Sequence, residues 1–265
     1  MDILRRHRIV AVRFPSKEMP GIPQGMYVRR PAGYDLGAVS RKQRGHVLRG
    51  LEACEIRDVD PDELLAVGIE LNRDTLARQS RQDPELVEPA RWKLFVDAVC
   101  NSPGMSVRGA YVNGRLASYL IFCKDSGWLH LMFKMSRSAD LAHYPNHALD
   151  YSILSGAASD PTIECVSNGF TSLLPNQGLD QYKRQLGYEI EPHNLCIHFH
   201  PLLTPALTSR LSVSLCVAAH SLLPGWRLAA RCCKVVEGAN ISMKMSDPPV
   251  FRQTRPVKSS QLESD

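Results

Sequence analysis

Several things are missing from this sequence of 265 residues, and each absence excludes a class of protein. No run approaches the ~18 apolar residues that a membrane helix needs. The longest candidate, 211–223, is interrupted by serines and by His220. The eight cysteines never fall as C-x-x-C, so zinc-ribbon and dithiol redox motifs are absent. Most of them sit in apolar runs such as Ile121-Phe122-Cys123 and Leu195-Cys196-Ile197, as reduced thiols do in the core of a cytoplasmic protein. There is no Gly-x-Ser-x-Gly elbow, no P-loop and no dinucleotide fingerprint. The net charge of +5 is mild for this length; it permits an anionic ligand without marking a nucleic-acid binder. The charged opening Met1–Arg8 has no apolar run behind it, so no signal peptide is expected.

What is present is the patterning of a mixed α/β domain. Residues 1–33 are rich in Arg, Gly and Pro, with short β-like pieces at Ile9–Val12 and Met26–Val28. A helix is expected from an Asp35 cap to about Ala53, although Gly37, Gly45 and Gly50 weaken it. Cys54 to Val59 alternates like a strand. Asp60-Pro61-Asp62-Glu63 combines a cap, a first-turn proline and acids at the positive end of the helix dipole. Trp92, Phe95, Val96 and Val99 form one helical stripe across 88–100. Met105–Val112, Arg115–Phe122 and Trp128–Met135 make an antiparallel meander, joined by Asn113-Gly114 and by Asp125-Ser126-Gly127. A helix at Pro145–Ala158, a strand at Thr162–Ser167, a helix at Gly178–Leu186 stopped by Gly187, and a strand at Leu195–His200 follow. Antiparallel strands that give way to helix-separated strands imply a mixed, mainly antiparallel sheet with helices on both faces. Three segments are expected: a domain over 1–202, a helical appendage over 203–246 and a disordered tail over 247–265.

This order resembles the GNAT superfamily of N-acyltransferases, nearest to its Fem-type members. The likeness covers about residues 27–200. It rests on the strand pair Val107–Ser118, the long strand Trp128–Phe133, the helix opening Tyr144-Pro145-Asn146-His147, and the late helix Gly178–Leu186 running into Gly187-Tyr188. The resemblance implies a GNAT-like sheet whose two middle strands splay apart. The gap admits the pantetheine arm of acyl-CoA, such as acetyl-CoA, and the donor's pyrophosphate rests on a helix N-terminus. Phe133, Tyr144, Pro145, Asn146, His147 and Asn168 are then the donor-binding candidates. The chain departs from the pattern between Ser136 and Asn146, where the usual glycine-rich loop has no glycine. That departure favours the Fem-type branch, whose donor can be an aminoacyl-tRNA.

Lys183 stands where many GNAT enzymes carry a tyrosine. The resemblance makes it a stabiliser of developing negative charge, with Tyr182 as a possible proton donor and Glu164 as the nearest carboxylate base. Each has a plainer reading: Lys183 as a solvated helix lysine, Tyr182 as core packing, Glu164 as a strand residue paired with a basic neighbour. His198-Phe199-His200 puts two imidazoles on one strand face, but no third ligand completes a metal site. Arg29, Arg30, Arg41, Lys42, Arg44 and Arg49 form a basic group that suits tRNA or simply a solvated face. The acceptor is expected to be a small-molecule or peptide amine. A homodimer through 205–236, and a GNAT-shaped protein that binds without catalysis, stay open.

Overall fold

The computed structural model describes residues 9–171 and 177–207 without a break, and isolated positions outside those ranges. The chain divides into two compact units, residues 24–193 and residues 1–23 with 194–265. The expectations of a helical appendage and a disordered tail lie almost wholly outside the described residues.

The strands are β1 (Ala11–Ser16), β2 (Ile22–Arg29), β3 (Glu55–Asp58), β4 (Met105–Val112), β5 (Arg115–Asp125), β6 (Trp128–Ser136), β7 (Cys165–Phe170) and β8 (Glu189–Phe199). The helices are α1 (Arg41–Ala53), α2 (Pro61–Arg78), α3 (Pro84–Val87), α4 (Pro89–Asn101), α5 (Pro145–Ala158), α6 (Gln177–Gln185) and the short α7 (Thr204–Leu207). In the larger unit the strand order is β8–β2–β7–β6–β5–β4–β3. In the other unit, β1 runs antiparallel along the outer part of β8, from Ala11 opposite Phe199 to Ser16 opposite Asn194.

The meander forms as its sequence dictates. Asn113 and Gly114 take φ of 52° and 74°, the left-handed pair that a two-residue hairpin turn requires. Asp60 caps α2 by accepting from the backbone N–H groups of Asp62 and Glu63. One expectation is corrected: Asp35 caps only a 3-10 turn at Leu36–Ala38. The α-helix begins after Ser40, whose hydroxyl accepts from Gln43 N–H.

Both faces of the sheet are covered. Val47 of α1, Leu149 and Leu154 of α5, and Leu186 close one core. Leu64 and Leu71 of α2, with Trp92 and Val96 of α4, close the other. Gly50 permits the first of these. A Cβ there would lie 2.7 Å from the carbonyl oxygen of Tyr144 and 3.1 Å from Ala148 Cβ, so glycine lets α1 lie against the start of α5.

Candidate active site

The sheet opens in its middle. β6 and β7 are parallel, but pair only at Trp128–Cys165, Leu129–Val166 and His130–Ser167. Beyond that point β7 stays with β2, through Val28–Ser167 and Met26–Phe170, while β6 stays with β5 as far as Ser136. A bulge adds to the divergence. The β5–β6 register passes from Ile121–Phe133 to Phe122–Leu131, leaving Met132 as the extra residue, which bends the strand.

Lys183 of α6 stands beside this opening. The residue is 8% exposed, and Nζ donates to the carbonyl oxygen of Asn168 on β7. The ammonium also lies 4.4 Å from the centre of the Tyr27 ring, a cation–π contact. Burial, then repulsion from Lys134, pushes its pKa down to about 8. Lys183 is therefore a buried lysine and not a solvated one.

Tyr182 faces another way. Its hydroxyl donates to Asp150 Oδ2 at 2.6 Å and lies 3.3 Å from the carbonyl oxygen of Asn146. Burial and the Asp150 carboxylate hold its pKa well above the ordinary value, so the proton is bound tightly. Lys134 on β6 also donates to Asp150 Oδ2 and lies 4.9 Å from the Tyr182 ring centre. Asp150 is fully buried, and its Oδ1 has no hydrogen-bond partner among the described residues.

Next to Tyr182 is a cleft of about 430 Å³, walled by Gln43 and His46 of α1, Tyr144 to His147 at the start of α5, and Gln185 of α6. Four of the donor-binding candidates, Tyr144, Pro145, Asn146 and His147, therefore meet at one place together with Tyr182. Tyr144 takes a φ of 54° and leaves the first turn of α5 without a side-chain cap. The Asn146 side chain is not free: Oδ1 accepts from Ser118 at 2.8 Å and Nδ2 donates to Ser136 at 3.3 Å, pinning the helix start to the sheet. The His46 ring stacks on Tyr144 at 4.5 Å and meets His147 edge-on at 5.1 Å. Burial drives the His147 pKa down to about 4, helped by His46 and Lys134 against the pull of Asp150. Burial, Arg49 and Lys42 lower that of His46.

The remaining candidates lie elsewhere. Phe133 packs edge-on against Phe95 of α4 at 5.3 Å, on the opposite face from α5. Asn168 contributes its backbone carbonyl to Lys183. Glu164 is exposed, and its N–H donates to Gly127 at the start of β7. Four residues of strand, about 13 Å, separate it from Asn168. Of the basic group, Lys42 lines the cleft and Arg49 lies over the Tyr144 ring at 4.7 Å, whereas Arg29 is turned onto Tyr34 and the Gly187 carbonyl. In the smaller unit, His198 stacks on Phe14 at 5.6 Å.

The glycine-free loop is a 3-10 helix, Ser138–His143, clamped by α2. Asp74 accepts from Ser138 N–H at 2.7 Å, Arg78 donates to Ser138 Oγ at 2.6 Å, and Arg137 reaches Glu70 at 2.7 Å.

Against known structures, FemX superposes with a TM-score of 0.56 at 11% identity, covering 69% of this chain. The fold is GNAT-like. The chain spans 63% of the length of FemX. L-PGS from Bacillus licheniformis gives 0.48 at 10% identity, covering 79% of this chain and 70% of that one. A tandem GNAT protein from the clavulanic acid biosynthesis pathway gives 0.44 at 13% identity, covering 74% and 65%. No model of a known protein family matches the sequence, and no curated protein matches it. Among the described residues, no helix is long and apolar enough to cross a membrane.

Proposed function

We propose that this chain is an N-acyltransferase in which an amine attacks an activated acyl carbonyl lying in the opening between β6 and β7. The observation that carries the reading is Lys183, a buried ammonium set against β7 beside the point where the two strands part. In the reaction the amine nitrogen forms the new C–N bond, and the carbonyl electron pair moves onto oxygen. The oxyanion is held by Lys183 and by β6 backbone N–H groups near the Met132 bulge, since pre-placed donors count most where charge develops. Collapse restores the C=O bond and expels a thiolate or a ribose alkoxide, which takes up a proton. The proton lost by the amine goes to water, because Glu164 stands too far along β7 to reach it.

Two donors share this chemistry: acyl-CoA and an aminoacyl-tRNA. Both would lay phosphate near the uncapped first turn of α5. The clamped loop favours the second. Asp74 already occupies the Ser138 N–H, and hydrogen bonds from Ser138, with Arg78 and Arg137 nearby, hold its carboxyl below the usual range against the opposing effect of burial. Lys42 and Arg49 beside the cleft suit a longer polyanion. An open cleft of about 430 Å³ beside Tyr182 and the uncapped start of α5 leaves room for part of a donor. The acceptor is a small-molecule or peptide amine.

Thermal-shift titrations with CoA, acetyl-CoA, longer acyl-CoAs and aminoacyl-tRNA test this. A donor at 100 times its Kd stabilises the folded state by roughly 2.7 kcal/mol. A saturable rise with one donor class selects that class. No rise with any donor overturns the proposal.

A further inference from the structure

Lys183 is a buried cation with no carboxylate within 4 Å among the described residues, although two acids stand nearby. Asp150 of α5 and Asp180 of α6 are the two acids whose fields reach it. Each is committed elsewhere. Asp150 Oδ2 takes hydrogen bonds from Lys134 and from Tyr182. Asp180 Oδ1 takes one from the Tyr27 hydroxyl at 2.6 Å. The same Tyr27 offers Lys183 the face of its ring. One tyrosine therefore supplies a weak partner to the lysine and removes a strong one.

We propose that Lys134 and Tyr27 are positioning residues for Lys183: by holding Asp150 and Asp180, they keep the buried ammonium without a counter-ion and open to an anion that forms in the gap. The inference rests on the proposed acyl transfer for its catalytic meaning, but not for its electrostatics. A lysine paired with a carboxylate has its positive charge already satisfied, and adds little when an oxyanion develops. A lysine held by one backbone carbonyl and one ring face keeps most of its field for the reaction. The groups that surround it, element by element, are Tyr27 on β2, Lys134 on β6, the Asn168 carbonyl and Gly169 on β7, Asp150 on α5, and Asp180 on its own helix. At Gly169 a Cβ would make only ordinary contact with Nζ, at 4.0 Å; the φ of 67° is what favours glycine there.

The arrangement also explains why two lysines share this small volume. Lys134 supplies the counter-charge for Asp150, and Asp180 is bonded to Tyr27, so neither acid takes a hydrogen bond from Lys183.

The test uses the full chain with ¹³Cε-labelled lysine, following the Lys183 resonance by NMR across pH, with Lys183→Met to assign it. Tyr27→Phe keeps the ring face and releases Asp180. Lys134→Met takes away one of the two donors to Asp150 Oδ2 and a neighbouring positive charge with it, so Tyr27→Phe, which changes no charge, carries the decision; Lys134→Arg keeps Asp150 held. A carboxylate brought within ~4–6 Å raises a lysine's titration midpoint by about 1–3 units. The parent midpoint is expected at about 8. Tyr27→Phe and Lys134→Met are expected to raise it, Lys134→Arg to leave it in place, and the alkaline limb of kcat to move with the midpoint. If Lys134→Met fails to fold, Tyr27→Phe alone decides. A midpoint at the ordinary lysine value in the parent, or one unmoved in Tyr27→Phe, overturns the inference. If midpoints move as stated while the parent transfers no acyl group from any donor, the electrostatic device stands and the proposed function falls. If the parent transfers acyl groups and the midpoints do not move, the reverse holds.

Discussion

The ammonium of Lys183 hydrogen-bonds the carbonyl oxygen of Asn168, which ties α6 to β7 beside the point where β7 leaves β6. A backbone carbonyl satisfies one of the three donors of a lysine and leaves its charge unneutralised. Replacement by methionine keeps the volume and removes the charge. Turnover in Lys183→Met should fall by about 10²–10³-fold, the usual consequence of losing a donor to a developing oxyanion. The melting temperature should hold or rise, because an unpaired buried charge is removed. A steady-state assay beside a thermal melt separates the two effects.

Stability should depend on pH through the same group. In the folded chain Lys183 titrates near 8, against an ordinary 10.5. Below about pH 8 it is protonated in both states and the penalty for burying its charge is present in full. Between the two values the unfolded chain binds the extra proton, so stability rises with pH. Above about 10.5 the penalty is gone. The span corresponds to roughly 3 kcal/mol as an order of magnitude. Urea midpoints from pH 7 to 10.5 should show Lys183→Met ahead of the parent at the acid end and the gap closing towards the alkaline end.

Tyr182→Phe should behave as a structural variant. It removes one of the two donors to Asp150 Oδ2 and keeps the ring contact with His147 at 5.0 Å. Leaving a buried carboxylate short of a donor costs about 1–3 kcal/mol. Turnover should stay within about tenfold of the parent, short of the 10²–10⁴-fold that loss of a general acid brings. A deficit as large as that of Lys183→Met, with a folded protein, would make Tyr182 the proton donor after all.

Gly50→Ala should act on the cleft from behind. The new Cβ would meet the Tyr144 carbonyl and Ala148. Such overpacking costs about 1–3 kcal/mol. Tyr144 is part of the cleft wall, so the donor-induced thermal shift should shrink as well. An unchanged melt and an unchanged donor shift would show that α1 and α5 can part freely.

Local signals in the sequence carried much of the fold. Asn113-Gly114 and Asp125-Ser126-Gly127 marked both turns of the meander, and the Asp60 cap placed α2. The Pro145–Ala158 helix has the bounds that its proline and its apolar spacing implied. Where two signals competed, the boundary moved. Asp35 and Ser40 both look like caps, and only Ser40 starts the α-helix. Strand β8 begins at Glu189, six residues before the expected Leu195, because Pro192 within it reads as a breaker although strand ends and edges tolerate it. The place of β2 beside β7 has no local signature at all, since the two pair across more than a hundred residues.

The site was legible only in part. Lys183 and the Tyr144–His147 turn were singled out by resemblance. Lys134 and Asp150 were not, since a lysine on a strand and an aspartate in a helix carry no mark of meeting in the interior. Nor were Gln43, His46 and Gln185, which come together through a Gln43–Gln185 hydrogen bond of 2.7 Å spanning 142 residues. Such groupings are products of tertiary packing, and no window along the chain contains them.

The three-pair contact between β6 and β7 gives this sheet an internal edge. Past His130 no strand continues the ladder on that side of β6 among the described residues. On a sheet's outer rim, such a run invites pairing with another chain, and proteins guard against it with charges, prolines or short strands. Here the guard is position. The run lies between strands of the same domain, so the N–H and C=O groups that β6 leaves unpaired past His130 face β7 across the gap and not a neighbouring molecule.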